Sequence, residues 1–316
     1  MIAVLGAFDG FHRGHALLFE KARTSAESLK LPWGAVTFDP HPALFMNSLK
    51  TMLFTLRERE LIRLYLGIPQ IVSLRFDQEL ARLSPDGFWD MLQDCVELDG
   101  IVVGRDFRFG YRRTGDVALL WELCRKAGIS FTAVDLLEYL GAKISSSMIR
   151  AHIELGQCDA AIRELGYPYF VWAEVVHGFG RGKTLGFPTA NLNVHHTKLL
   201  PEEGVYATAV LVGDRWVAGA LSVGRNPTFD DVPDVRVEVF LVDYEGDLYD
   251  ESLLVFFLHR LRPQVKFKNT EMLTLQISAD AERCRTIFAH SLKQNPGWYD
   301  GFRQSLATTL KTLGYR

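Results

Sequence analysis

Short apolar runs alternate with longer segments of helical spacing in the first half of the chain. The runs predict strands at 2–5, 33–38, 71–74, 101–104 and 130–134. The segments between them predict helices at 16–29, 55–67, 84–98 and 116–127. Because strands and helices alternate throughout, we predict an α/β domain with a doubly wound parallel sheet.

From residue 170 the pattern changes to short alternating runs with no long helix between them. Runs at 170–176, 205–212, 216–223, 235–242 and 253–258 predict an antiparallel β-barrel or sandwich. An apolar stripe predicts a helix over 270–289 that packs on the barrel, and Phe302, Leu306, Leu310 and Leu313 predict a further amphipathic helix. The change of pattern lies near Gly166, so we expect domains 1–166 and 167–316, each with its own core.

The first candidate site is the glycine-punctuated turn after the first strand, Gly6-Ala7-Phe8-Asp9-Gly10-Phe11-His12-Arg13-Gly14-His15. Backbone N–H groups at such a turn, together with the positive end of the following helix, bind phosphate. His12 and His15 are three residues apart and would share one face of the helix start, where both could donate to phosphate oxygens. The alternatives are a structural corner with incidental histidines, or a zinc pair, although no cysteine or third histidine lies nearby.

Three further loops of the first half carry candidate chemistry. Asp39-Pro40-His41-Pro42 follows a strand, as does the aromatic segment at 105–110, and Ser146 and Ser147 open a helix that carries Arg150 one turn later. Ligands of open α/β sheets bind at the carboxyl ends of strands, and a helix start with hydroxyls can hold phosphate. The alternatives are a rigid turn, core aromatics and a serine-capped helix.

In the second half, the segment 177–191 is rich in glycine and basic residues and ends in Pro-Thr-Ala-Asn. Its glycines could form a backbone cradle for phosphates, and Thr189 and Asn191 offer two neutral oxygens at alternate positions. Oxygen ligands together with phosphates suit Mg²⁺. Glu238, on a predicted strand, is the candidate base for activating a hydroxyl, although it could also be a solvated strand residue.

These motifs, in this order, resemble the bacterial bifunctional riboflavin kinase/FMN adenylyltransferase (FAD synthetase) family from residue 1 to about 290. The resemblance implies a Rossmann-like nucleotidyltransferase domain that adenylylates FMN to FAD, followed by a β-barrel domain that phosphorylates riboflavin to FMN. Both steps would use ATP and Mg²⁺. His12, His15 and Arg150 would stabilise charge during adenylyl transfer, and Glu238 would be the base of the kinase.

The resemblance also implies binding roles for residues of the same motifs. ATP or phosphate would be held by Gly6, Phe8, Asp9, Gly14, Ser146, Ser147, Gly178, Gly180 and Lys183. The flavin would be held by Asp106, Phe107, Phe109, Asn226 and Arg262, and the metal by Thr189 and Asn191. The chain departs from the family pattern at Met148, where many relatives carry a cation, at Phe240 in place of histidine, and at Gln264 in place of glutamate.

Two other function classes stay open. A class I aminoacyl-tRNA synthetase shares the His-x-Gly-His pattern, but the acidic net charge and the lack of a basic anticodon-binding region disfavour it. The other class is a non-enzymatic flavin carrier, or a monofunctional riboflavin kinase whose N-terminal half is a degenerate nucleotidyltransferase scaffold. The intact histidines disfavour such decay, whereas Ala7 and Met148 leave it open.

Composition limits the class of partner. The 316 residues carry a formal net charge of −3, which disfavours a general nucleic-acid or acidic-membrane surface. The four cysteines are widely spread, as in a reducing compartment, and neither a charged leader nor an apolar run of membrane length is present. We expect a cytoplasmic monomer or weak oligomer that acts on small molecules and binds neither nucleic acid nor membrane.

Overall fold

The structure is a computed structural model that describes residues 1–135, 137–139, 141–178, 186–224 and 235–312. The chain folds as two compact units. The first consists of Met1–Met52 and Arg59–Ser146, and the second of Leu53–Glu58 and Ser147–Arg316. Gly166 lies within the second unit, and the boundary near it stays a prediction about where the two functional domains separate.

The first unit is built on a parallel five-stranded sheet. Its strands are β1 (Ile2–Leu5), β2 (Trp33–Asp39), β3 (Ile71–Arg75), β4 (Gly100–Gly104) and β5 (Ser130–Val134). They lie in the order β3-β2-β1-β4-β5, and every neighbouring pair is parallel. A parallel sheet that places its first strand in the centre confirms the predicted α/β class. It also brings the loops after β1, β2 and β4 to one edge, where ligands of such sheets bind.

The helices of the first unit follow the predicted segments with shifted ends. They are α1 (Arg13–Leu29), α2 (Pro42–Phe45), α3 (Leu56–Tyr65), which crosses between the units, α4 (Pro85–Cys95) and α5 (Val117–Ala127). The first helix begins three residues before the predicted start because the His12 side chain caps it. Ser84 caps α4 as predicted, accepting the Gly87 N–H at 3.1 Å. The short α2 and a hairpin of β6 (Glu138–Tyr139) and β7 (Ala142–Lys143) were not predicted.

One core cluster of the first unit lies between the sheet and the helices α4 and α5. All four residues of β1 are buried, as expected for a central parallel strand covered on both faces. Ala3, Leu5 and Val103 pack in one cluster with Leu92 of α4 and Leu120 of α5. This packing fixes the position of β1, whose end leads into the glycine-punctuated turn.

The second unit contains a closed barrel. Its strands are β8 (Phe170–Val176), β9 (Thr189–Asn193), β10 (Gly204–Val212), β11 (Arg215–Gly224), β12 (Arg236–Leu241) and β13 (Ser252–Arg262). They close in the order β10-β11-β12-β9-β8-β13, with all pairs antiparallel. The predicted barrel is therefore confirmed. The strand β9 was expected to be part of the glycine-rich loop, although its residues alternate between polar and apolar.

A buried ion pair joins the segment Leu53–Glu58 to the barrel. The Lys198 ammonium donates to the Glu58 carboxylate at 2.9 Å and to the Leu53 carbonyl at 2.7 Å, and both charged side chains are at most 1% exposed. The Tyr169 hydroxyl donates to the same carbonyl at 2.9 Å. Because an unpaired buried charge is costly, this segment is part of the folded second unit.

Helices complete the second unit at both ends of the barrel sequence. They are α6 (Ser146–Glu154), which begins at the unit boundary, α7 (Cys158–Leu165), α8 (Thr270–Gln294) and α9 (Pro296–Thr312). Ala281 and Cys284 of α8 are buried with barrel residues, as predicted. In α9, Phe302 and Leu306 are buried, which confirms the amphipathic helix; Leu313 lies outside the described residues.

The four cysteines are free thiols, of which Cys124, Cys158 and Cys284 are buried and Cys95 is exposed. Burial raises the pKa of each buried thiol to about 12, so these three are unreactive at neutral pH. Within the described ranges, none of the helices combines the length and the apolar character needed to cross a membrane.

Candidate active sites

The turn between β1 and α1 has a backbone that few residues adopt. Phe8 and Phe11 take left-handed φ angles of 46° and 43°, which are strained for bulky side chains. Both rings are buried, and a Cβ on Gly6 would lie 2.7 Å from the Phe8 ring. The aromatic anchors therefore hold the turn in its shape, and such stored strain is typical of functional sites.

Two stacked histidines stand at the start of α1. Their ring centroids lie 3.7 Å apart, and the Nδ1 atom of His12 accepts the His15 backbone N–H at 3.4 Å. Burial lowers the pKa of His12 from 6.5 to about 4, and the nearby Lys143 charge acts in the same direction. Burial, followed by His12 and Lys143, holds the pKa of His15 well below its usual range. Both imidazoles are therefore neutral at pH 7, and each can donate one N–H.

His15 carries a buried polar atom that lacks a partner. Its Nδ1 atom makes no hydrogen bond to any residue in the described part of the chain, and its ring meets the edge of Phe8 at a centroid distance of 5.0 Å. A buried nitrogen without a partner costs free energy, and a bound ligand would satisfy it.

A cavity of about 370 Å³ opens at this turn. Six residues predicted to bind ATP or act on it line this cavity: Gly6, Phe8, His12, Gly14, His15 and Ser146. The predicted residue Asp9 is buried, and its carboxylate acts on Arg59, opposing the burial that lowers the pKa of that guanidinium. Ser147 and Arg150 lie in the first turns of α6 and belong to the second unit, so their roles toward this cavity stay predictions.

A second cavity, of about 600 Å³, lies at the same edge of the sheet and is mostly apolar, with five phenylalanines in its lining. Its aromatic lining consists of Phe38, Phe76, Phe88, Phe107 and Phe109. Phe107 and Phe109 stack with centroids 5.9 Å apart, and His41 also lines the cavity. The predicted flavin residues Asp106, Phe107 and Phe109 are thus brought together, in a space that suits a flat aromatic ligand.

The two cavities share a border. Five residues line both of them: Gly6, Ala7, Asp106, Phe107 and Arg113. Asp106 is ion-paired with Lys143, which lines the smaller cavity. Sequence reasoning missed Arg113, although an Arg-Arg pair in a short loop between Gly110 and Gly115, just after the aromatic segment, was a usable signal.

In the second unit, the strand register assembles the candidate kinase residues. Glu238 of β12 lies opposite Asn191 of β9, and Phe240 lies opposite Thr189. Directly opposite residues share a face of the sheet, as do alternate residues of one strand. The Thr189 hydroxyl accordingly lies 3.5 Å from the Glu238 carboxylate. A Cβ on Gly178 would overlap the Asn191 amide at its present position, so any larger residue there would displace that side chain.

Of the four strand residues Thr189, Asn191, Glu238 and Phe240, Thr189 lines a cavity of about 460 Å³, and the other three do not. Thr189 and Pro188 line one part of it, and the segment 244–249 lines another. At its rim, His177 and Tyr249 stack with centroids 3.9 Å apart. The segment 244–249 therefore shares a cavity with Thr189, and the structure does not extend that cavity to Glu238.

Of the remaining predicted residues of this site, Arg262 is among the described residues. Gly180, Lys183 and Asn226 lie outside the described residues. Arg262, predicted to bind flavin, donates twice to the buried Asp280 carboxylate, at 2.8 and 2.9 Å, so its guanidinium also joins the barrel to α8. Its flavin contact stays a prediction.

Two of the departures from the family pattern have identifiable contacts. The Gln264 amide donates to the Ser222 hydroxyl at 2.6 Å, an interaction that a glutamate could make only as an acceptor. Phe240 packs edge-on against Phe187 with centroids 5.2 Å apart. Both residues are therefore accommodated next to the candidate kinase strands.

Comparisons with known proteins match a family model to each half of the chain. The family model described as FAD synthetase matches residues 1–148, and the one described as riboflavin kinase matches residues 165–288. A bifunctional riboflavin kinase/FMN adenylyltransferase of Listeria monocytogenes is 33% identical over 91% of this chain and 92% of its own length. The Escherichia coli K12 protein of the same name is 32% identical, with coverage of 91% and 92%.

A solved structure supports the same assignment for the fold. A crystal structure from Streptococcus pneumoniae, described as a macrolide-efflux protein, is similar to this chain with a TM-score of 0.82 and 32% identity, over 90% of this chain and 93% of its own. That description belongs to the other protein alone. With both domain models matched, and curated relatives of this identity aligned over almost their whole length, the chain belongs to the family of bifunctional riboflavin kinase/FMN adenylyltransferases.

Proposed function

We propose that the chain phosphorylates riboflavin to FMN in its barrel and adenylylates FMN to FAD in its α/β unit, with ATP as the co-substrate of both steps. The observation that carries the second activity is the pair of adjoining cavities, one at the histidine turn and the other aromatic. Two substrates that must react with each other need two pockets with a common border. A scaffold without the adenylylation activity would not need to keep a buried His15 nitrogen that lacks a partner among the described residues.

In the adenylyl transfer, a phosphate oxygen of FMN attacks the α-phosphorus of ATP, and the bond to pyrophosphate breaks. No protein nucleophile or base is required, so the residues act by binding and by stabilising charge. His12 and His15 donate N–H groups to phosphate oxygens, and Ser146 and the turn N–H groups hold the nucleotide. Ser147 and Arg150 act at the start of α6 on the same phosphates.

In the kinase reaction, the terminal ribityl hydroxyl of riboflavin attacks the γ-phosphorus of ATP, and ADP leaves. Glu238 accepts the hydroxyl proton, because a carboxylate beside the attacking oxygen raises its nucleophilicity. Gly178, Gly180 and Lys183 bind the ATP phosphates, and Asn226 and Arg262 contact the flavin. The contact between Thr189 and Glu238, at 3.5 Å, supports a single site on β9 and β12.

The residues at this site fit Mg²⁺. The Thr189 hydroxyl and the Asn191 amide supply oxygen donors on one face of β9, next to a carboxylate. When bound, the ion would neutralise charge on the ATP phosphates. The Asn191→Ala variant should need more Mg²⁺ for half-maximal FMN formation, whereas FAD formation from supplied FMN should keep its Mg²⁺ requirement. An unchanged Mg²⁺ requirement for FMN formation would contradict the assignment.

We further propose that the chain is a cytoplasmic monomer or weak oligomer that acts on small molecules without nucleic acid or membrane partners. The net charge of −3 and the three buried, unreactive thiols support this proposal. Light scattering at micromolar concentration should give a mass close to that of one chain. A stable larger mass would contradict it.

The function is tested by incubating the chain with ATP and Mg²⁺ and separating the flavins by chromatography. Starting from riboflavin, both FMN and FAD should form, and starting from FMN, FAD should form with release of pyrophosphate. FMN formation without any FAD would instead indicate a monofunctional kinase. Absence of both products would refute the proposal as a whole.

A further inference from the structure

The border between the two cavities of the first unit must hold two phosphate groups at once. This argument rests on the proposed adenylylation of FMN. For an FMN phosphate oxygen to reach the α-phosphorus of ATP, the terminal phosphate of FMN must lie where the aromatic cavity meets the nucleotide cavity. Both groups are anionic, so their approach is opposed by like-charge repulsion unless a cation lies beside them.

Most polar groups near the border supply no net positive charge there. His12 and His15 are neutral at pH 7 because burial lowers the pKa of both. Lys143 is ion-paired with the Asp106 carboxylate. Arg108 lines only the aromatic cavity, and its guanidinium lies 3.5 Å from the Asp116 carboxylate.

Arg113 differs from these groups. It is the one cationic residue that lines both cavities, among the residues that the structure describes. It is exposed, and none of the ion pairs in the described ranges includes it. An arginine at that position can offer its full fork of N–H donors to a phosphate.

The backbone that carries Arg113 is held in an uncommon shape. Arg112 and Arg113 take successive left-handed φ angles of 51° and 59°. The loop is closed by reciprocal hydrogen bonds between Phe109 and Gly115, at 3.1 and 2.9 Å, and the Arg113 N–H donates to the Gly110 carbonyl at 2.9 Å. Strained backbone held by surrounding hydrogen bonds is a feature of sites where a side chain must be aimed.

We propose that Arg113 binds the terminal phosphate of FMN at the border of the two cavities and offsets its repulsion from ATP during adenylyl transfer. Arg113 forms and breaks no covalent bond. The FMN phosphate oxygen bonds to the α-phosphorus, pyrophosphate leaves, and the guanidinium stays hydrogen-bonded to the phosphate that becomes part of FAD.

The test compares Arg113→Asn and Arg113→Lys in the full chain. Asparagine removes the charge yet tolerates a left-handed φ, so the loop should keep its shape. For Arg113→Asn, kcat/KM for FMN should fall about 10- to 100-fold, the loss expected for one charged hydrogen-bonding partner, mainly through a higher KM. Arg113→Lys should recover much of this loss. Arg125→Gln, on α5 outside both cavities, is the matched control for removing one arginine charge.

A flavin without a phosphate shows whether Arg113→Asn removes a contact with the phosphate or changes the shape of the aromatic cavity. Lumiflavin has the isoalloxazine rings but no ribityl phosphate, so its inhibition constant against FAD formation from FMN should be the same in wild type and Arg113→Asn. Riboflavin phosphorylation should also be unchanged. An unchanged KM for FMN, or a parallel weakening of lumiflavin inhibition, would overturn the proposal. A wild-type chain that makes FMN but no FAD would overturn the proposed function, and this inference with it.

Discussion

The two candidate sites are built in different ways. In the first unit, the site is a stretch of backbone, where the left-handed residues Phe8 and Phe11 lead into a helix capped by His12. In the second unit, the site consists of side chains on two paired strands. There the register alone places Glu238 opposite Asn191, on backbone of ordinary strand conformation.

This difference matches the chemistry of each step. Adenylyl transfer to a phosphate needs no base, so a rigid turn that presents N–H donors and neutral histidines to an anion is sufficient. Phosphorylation of an alcohol needs a proton acceptor beside the hydroxyl. Glu238 remains half-exposed on its strand, within reach of the Thr189 hydroxyl, where a substrate can approach it. If each step uses only its own site, changes at one site should leave the other reaction intact.

The largest effect should follow from removing the proposed base. Glu238→Gln keeps the shape of the side chain but cannot accept the proton, so FMN formation should slow by about 10²- to 10⁴-fold. FAD formation from supplied FMN should be unchanged. The measurement is the initial rate of each product by chromatography, with Glu174→Gln, an exposed carboxylate on β8, as control. A rate of FMN formation similar to wild type would remove Glu238 from the mechanism.

The buried ion pair predicts a large effect on stability. Glu58→Gln removes the carboxylate that neutralises the buried Lys198 ammonium, which should lower the free energy of unfolding by about 3–5 kcal/mol. Adding Lys198→Met should restore much of that loss. Glu60→Gln, a partly exposed carboxylate on the same helix, should cost less than about 1 kcal/mol. Urea unfolding of the wild type, Glu58→Gln, Glu58→Gln/Lys198→Met and Glu60→Gln measures these values. Equal losses for Glu58→Gln and Glu60→Gln would contradict the prediction.

The same ion pair predicts how stable the residues 167–316 should be when they are expressed alone. A fragment of residues 167–316 lacks two of the partners of Lys198, namely Glu58 and the Leu53 carbonyl. We therefore expect the fragment to fold with lower stability than the second unit has in the full chain, and Lys198→Met to stabilise it. Circular dichroism during thermal unfolding measures both. If Lys198→Met destabilises the fragment, the loss of the ion pair does not explain the fragment's lower stability.

A smaller effect should appear in the pH dependence of the free energy of unfolding, through His12 at the first site. His12 has an ordinary pKa of 6.5 when unfolded but about 4 when folded, so the unfolded chain binds more protons between these values. The free energy of unfolding should therefore fall as the pH drops from 6.5 to 4, with about 3 kcal/mol from this group. Replacing it by asparagine, which also caps helices, should flatten that slope. Urea unfolding at several pH values measures the difference, and identical slopes would contradict the assigned shift.

Much of the fold followed from the sequence because the patterns were local. The central strands of the first unit are continuous apolar runs bounded by turns, and the second-half strands alternate, so both classes were predicted. The strand β9 was missed although Thr189, Asn191 and Asn193 alternate with apolar residues, because it is only five residues long and directly follows the glycine-rich segment. Its pairing with β12 is a long-range property. The motif residues near it were nevertheless identified by their resemblance to a family.

Features that depend on long-range contacts could not be predicted. Nothing local to Lys198 indicates that it meets Glu58, 140 residues earlier. The left-handed φ of Phe8 likewise depends on what packs around its loop. By contrast, His12 and His15 were identified because their spacing, after a strand and a glycine-punctuated turn, is a local signature of phosphate binding.

The most direct test of separate sites is one assay of His15→Ala that starts from riboflavin, ATP and Mg²⁺. Loss of one preorganised donor should slow adenylyl transfer by about 10²- to 10³-fold, so FMN should form at the wild-type rate and accumulate in place of FAD. His195→Ala, which removes an exposed histidine from another stacked pair, is the control. If His15→Ala instead leaves riboflavin unphosphorylated, or converts it to FAD as wild type does, the account of two independent sites is contradicted.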